Sequence, residues 1–73
     1  MIPHWIGTLL RINESGAFLY DSLDAKNKLA ELREGDLGIV IDFDAHHLRG
    51  IYYNILTANG MGWTHSAWLN KVG

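Results

Sequence analysis

Four histidines, His4, His46, His47 and His65, are the side chains best suited to metal binding or proton transfer, and no cysteine stands beside them. A zinc or transition-metal site needs three or four such ligands at spacings that let them converge. His46 and His47 are adjacent, and on an extended backbone adjacent side chains point to opposite faces. No zinc-motif spacing is present, so no metal site is expected and the pair reads as an exposed loop tip. His65 is followed at once by Ser66, two residue types used in nucleophilic catalysis. A working triad needs serine, base and an orienting acid to converge in a cleft, which sequence neighbours rarely achieve. Ser66 is better explained as pinning a helical turn through a local hydrogen bond to the backbone. The chain is therefore read as non-enzymatic, with no catalytic residue, metal or cofactor.

Composition narrows the partners. The 73 residues carry a formal charge of −2, with six Lys and Arg scattered among eight acids. Nucleic-acid binding calls for a clustered basic face, so no nucleic-acid partner is expected. No apolar run approaches membrane-spanning length, and residues 1–10 have no basic region ahead of an apolar stretch. The expectation is a soluble chain starting at Met1, without a membrane partner, in the cytoplasm or a virion. Its length suits one domain over 1–73, with 1–6 as a lead-in segment and 7–72 as the folded unit. A core this small leaves a narrow margin of stability, and no disulfide supplements it.

The elements that would position these residues are short. Pro3 holds Ile2 extended within the lead-in. Thr8 to Asn13 reads as a strand, Glu14-Ser15-Gly16 as a turn, and Ala17 to Tyr20 as a second strand. Residues 21–34 fit either a helix with Ala25, Leu29 and Leu32 on its apolar face or an irregular excursion with one helical turn. The strands on both sides favour the excursion. Gly35-Asp36 is a turn, and Leu37 to Phe43 a strand with Leu37, Ile39, Ile41 and Phe43 on one face. Asp44 to Gly50 reads as a polar loop. Ile51 to Thr57, rich in β-branched and aromatic residues, is the strongest strand. Asn59-Gly60 suits a tight hairpin, and Met61 to Thr64 returns as its partner. Ile39, Ile41, Ile51, Tyr53 and Ile55 are assigned to the core or its margin, with the register open by one residue. Five strands in so short a chain predict a small closed barrel, with one helical turn before the last strand.

Several segments resemble a known family. Ala17-Phe18-Leu19-Tyr20-Asp21 resembles the alanine-leucine-tyrosine-aspartate opening of Src-homology-3 (SH3) domains. Leu29 to Asp36 is similar to the stretch ending their long first loop, and Ile51 to Ile55 sits where they carry paired aromatics. Gly62-Trp63-Thr64-His65-Ser66-Ala67-Trp68-Leu69 resembles their ending, and more closely that of the bacterial variant. The resemblance implies an SH3-like five-stranded barrel over residues 7–72. It also implies an aromatic ligand groove from Tyr20, Tyr52 and Trp68, with His65 where the family usually has a groove proline.

These readings lead to a functional expectation. The chain would be a protein-interaction or assembly module that stacks an extended peptide, including proline-rich segments, or a neighbouring subunit on Tyr20, Tyr52, His65 and Trp68. Bacteriophage and viral accessory proteins of this architecture are one setting the resemblance implies. Cell-wall peptide binding is the first alternative, and a small oligomeric enzyme on the same scaffold the second. Three Trp, three Tyr and two Phe exceed what a small core hides, so exposed aromatic area is expected, covered by a ligand or by self-association into a homo-oligomer. Trp63 serves equally as a barrel end cover or as surface. Trp5 would either plug the fold or anchor a neighbouring subunit.

Overall fold

The computed structural model describes residues 6–24, 26–47 and 50–72, and of His46 and His47 only the backbone. The expectations for His4, Trp5 and the rest of 1–5, for Ala25, and for the side chains of His46 and His47 therefore lie outside the described residues. Short alternations of apolar and polar residues, too brief for helices, produce strands β1 (Leu9–Ile12), β2 (Ala17–Tyr20), β3 (Lys28–Leu32), β4 (Leu37–His47), β5 (Gly50–Thr57) and β6 (Gly60–His65). A 3-10 turn over Ser66–Trp68 then leads into β7 (Leu69–Lys71). All seven belong to one antiparallel sheet in the order β3-β2-β6-β5-β4-β1-β7.

The class is all-β, but the expected closed five-stranded barrel is not formed. The sheet curls 181° round its axis and stops, leaving its edges 11 Å apart. Hydrogen-bonded strands lie about 4.8 Å apart, so the edges do not pair. The molecule is an open half-barrel of seven strands. This architecture overturns the SH3 resemblance, including its bacterial and phage form. The physical reason lies at the two edges, where β3 and β7 add strands without joining each other. Both are short, and they carry Lys28, Glu31 and Lys71, charges that discourage pairing with another sheet.

β3 corrects the reading of residues 21–34. Lys28–Leu32 is strand and not helix; Leu32 lies opposite Ala17, Glu31 opposite Phe18 and Ala30 opposite Leu19. Leu29 and Leu32, three residues apart, share a face on a helix but oppose each other on a strand. Accordingly Leu32 is buried and Leu29 exposed. The polar loop expected over Asp44 to Gly50 is also corrected. β4 runs on to His47, which pairs with Gly50 at the start of β5.

A bulge in β4 decides which side chains face the core. Val40 pairs with Ile55 and Asp42 with Asn54, so Ile41 is an extra residue in the ladder. One extra residue reverses the alternation. Val40 is buried ahead of the bulge, and Phe43 packs against the core after it. Leu37 and Ile39 consequently point outward, away from Phe43, and Ile39 is not a core residue. The core itself gathers Leu10, Ile12, Ala17, Leu19, Leu32, Val40, Tyr53, Ile55 and Leu69, with Ala30, Phe43, Ile51 and Trp68 against it. Each large aliphatic side chain buried there contributes roughly 1.5–3 kcal/mol.

Two glycines fix the β5–β6 hairpin and its neighbour. Thr57 pairs with Gly60, so the turn is centred on Ala58-Asn59, one residue earlier than expected. Gly60 takes φ 127°, a conformation that suits glycine. The Thr57 hydroxyl closes the turn, donating to the Gly60 carbonyl at 2.9 Å and accepting from the Asn59 N–H at 3.0 Å. At Gly62 a side chain would collide with β2, because a Cβ there would lie 2.8 Å from the Tyr20 carbonyl oxygen and 3.0 Å from Leu19 Cβ. The missing side chain is what lets β2 lie against β6.

Candidate interaction surface

The four expected contact residues occupy different environments. Tyr52 is buried, 8% exposed, and meets His65 edge-on with ring centroids 4.8 Å apart. The two are cross-strand partners on β5 and β6. His65 also caps the 3-10 turn, its Nδ1 accepting the Ala67 N–H at 2.9 Å. That hydrogen bond uses the Nδ1 lone pair, so the neutral ring carries its proton on Nε2. Tyr20 ends β2, opposite Trp63, and its ring contact is with Phe18 at 6.4 Å. Lys28 sits 4.2 Å above the Phe18 ring, a cation–π contact that shields that face. Trp68 packs its half-buried side chain against the core.

Tyr52 and His65 are thus brought together, while Tyr20 and Trp68 serve other neighbours. The rings stand in separate contacts and do not form the continuous aromatic groove expected of this chain. Ser66 opens the 3-10 turn, and its carbonyl accepts the Leu69 N–H. Asn13, just past β1, secures the same turn, its N–H donating to the Trp68 carbonyl at 2.9 Å and its Nδ2 to the Ala67 carbonyl at 3.0 Å. Among the described residues, no three His, Asp or Glu side chains lie close enough to hold a metal ion. Nor is any helix among them long and apolar enough to cross a membrane.

The exposed apolar surface is aliphatic and lies elsewhere. Leu9 on β1 pairs with Ile39 on β4, Ile39 with Leu56 on β5, and Leu56 with Met61 on β6. On the far side of β1, the Val72 N–H donates to the Leu9 carbonyl at 3.1 Å, which sets Val72 next in line. These five form one row across the outer face, with exposures from 38% at Leu9 to 53% at Met61. Leu37, half-exposed, adjoins Ile39 along β4. Their neighbours in sequence, Leu10, Gly38, Val40, Ile55 and Gly62, are buried and face the core. No described aromatic side chain is among the large exposed hydrophobic residues; Phe18, Tyr20, Phe43, Trp63 and Trp68 are partly buried.

Sequence reasoning missed this row because strand alternation defines two faces without saying which is inside. Gly38 held the usable signal. A Cβ there would lie 3.0 Å from Ile55 Cδ1 and 3.2 Å from Thr57 Cγ2, so the chain needs glycine on its inner face. Leu37 and Ile39 must then face outward. Comparison with protein families, curated proteins and solved structures finds no match to this chain.

Proposed function

We propose that the protein is a non-enzymatic interaction or assembly module that contacts a neighbouring protein through the aliphatic row on its outer face. A soluble setting, in the cytoplasm or a virion, is part of this reading. The observation that carries it is the in-register alignment of Leu9, Ile39, Leu56 and Met61 across four strands, extended by Val72 just past β7. Scattered exposed leucines are ordinary on a small domain, whereas a contiguous band is the kind of surface that protein contacts cover. With Leu37, the band exposes on the order of 500 Å² of residue surface, towards the upper end for the largest apolar patch of a monomer. The ring-bearing residues are less suited to the role, because Tyr52 is buried and His65 already spends Nδ1 on the backbone.

The test is site-specific photo-crosslinking in the cells that make the protein. A benzophenone amino acid replacing Ile39 should yield a discrete covalent adduct, whereas the same group at Glu14, in the β1–β2 turn, should not. Absence of an adduct at position 39, with the folded protein present at normal level, would sink the proposal.

A further inference from the structure

Resting on that reading, we infer that the partner of the aliphatic row is a second copy of this chain, packed face to face about a two-fold axis along β4. The row has five members with Ile39 at its centre, so this axis sets every member on an apolar counterpart. Ile39 meets Ile39 of the copy and Leu9 meets Leu56, while Val72 and Met61 face each other across the margins of the contact. Leu37 lies along the same strand, on the axis, and also meets itself. Arg11, which pairs with Leu37 on the outer face, is carried over the uncharged Ala58 turn. A two-fold along the row itself would instead drive Leu37 towards the end of β4 that holds exposed Asp42. Self-complementarity of this kind is what an isologous dimer contact requires.

Area and edges favour the same arrangement. A standard interface buries about 800 Å² per partner, of which somewhat over half is apolar, and Leu9, Leu37, Ile39 and Leu56, nearest the axis, supply the larger part of that apolar share. The sheet edges are poor alternatives, being short and charged at Lys28, Glu31 and Lys71. The half-barrel curls away from its outer face. Contact is therefore centred on β4 and its two neighbours and thins towards Met61 and Val72. Asp42 limits the patch at the bulged end, since two copies of that carboxylate near the axis would repel. The dimer is accordingly weak, exchanging with monomer at concentrations of about 1 μM to 1 mM.

The chain contains no cysteine, so single cysteines report cleanly. Stacked sheets lie about 10 Å apart, which leaves facing thiols on the order of 5 Å apart, beyond the reach of a direct disulfide. A short bis-methanethiosulfonate linker spans that distance. On the axis, Ile39→Cys and independently Leu37→Cys should link to themselves about tenfold faster than Glu14→Cys, because docking raises the effective thiol concentration to millimolar. Leu9→Cys should link efficiently only when mixed with Leu56→Cys. The product should run at twice the 8.2 kDa monomer mass.

Linking of both axial variants at the Glu14→Cys rate would overturn the dimer. Equal self-linking by Leu9→Cys alone would overturn the two-fold along β4. A photo-adduct at Ile39 of any other mass, with no thiol linking, would leave the interaction surface standing and dismiss the self-partner. Loss of both signals would remove both.

Discussion

The aliphatic row on the outer face and the ring-bearing end around Tyr52 and His65 divide the labour of this small sheet in opposite ways. At the ring-bearing end, residue types associated with recognition or catalysis are consumed by the fold. His65 caps the 3-10 turn, Tyr52 is buried against it, and Trp68 lies on the core. Along the row, chemically plain side chains keep about two fifths to a half of their surface in water, apolar area that folding leaves uncovered. Functional potential follows from what a side chain has left to offer after folding, and residue type alone is a poor guide to that.

The comparison breaks most readily at Tyr52. Tyr52→Ala removes a buried ring and its edge contact, and a loss of about 3 kcal/mol is expected. For a domain with only about 5 kcal/mol to spare, the urea midpoint should fall by more than half. A midpoint shift of less than a tenth would mean the ring-bearing end is not structural.

A smaller effect is expected at His65. His65→Ala deletes the acceptor for the Ala67 N–H and should cost about 1 kcal/mol, as loss of a helix cap does. His65→Asn keeps an acceptor within reach of the same N–H and should recover part of the loss. Equal destabilisation by the two variants would assign the effect to packing on Tyr52 instead of the cap. The smallest change in stability belongs to the row. Leu56→Ser should alter unfolding by no more than about 0.5 kcal/mol, since an exposed residue gives up little on folding. The same variant should sediment as monomer at concentrations where the unaltered chain associates. Marked destabilisation would show that the row is part of the fold and not a free surface.

The local elements were largely legible, and the global curvature was not. The dense run Ile51 to Thr57, the return strand at Met61 to Thr64 and a helical turn at Ser66 follow from β-propensity and turn residues, although the side chain that caps the turn is His65 and not the expected Ser66. The close approach at Gly62 was likewise readable from the absence of a side chain. β3 was hidden because Lys28-Leu29-Ala30-Glu31-Leu32 consists of good helix formers. Pairing with β2 overrides that preference. Openness had no local signature either, since it depends on how twist accumulates across seven strands and on two edges that meet nothing.

For the candidate surface, the sequence supplied the members but not their side. Leu37, Ile39, Ile41 and Phe43 alternate without interruption in sequence, and the bulge that separates them is seen only from β5, where Asn54 faces Asp42. Aromatic residues drew attention because family motifs weight them, while leucines on a strand carry no such emphasis. Gly38 is the residue that separates the two faces, because only its missing side chain fits against Ile55 on the inner one.

The position of β1 in the sheet has a consequence in time. It lies between β4 and β7, with Ile12 paired to Leu69 and Arg11 to Asn70. A strand at Leu9–Ile12 therefore waits for one at Leu69–Lys71, far along the chain, before its second side is satisfied. Until β7 docks, Leu10 and Ile12 lack their final neighbour. Such distant closure slows folding, because the loop must be ordered before the contact rewards it. The order of assembly thus runs against the order of the sequence.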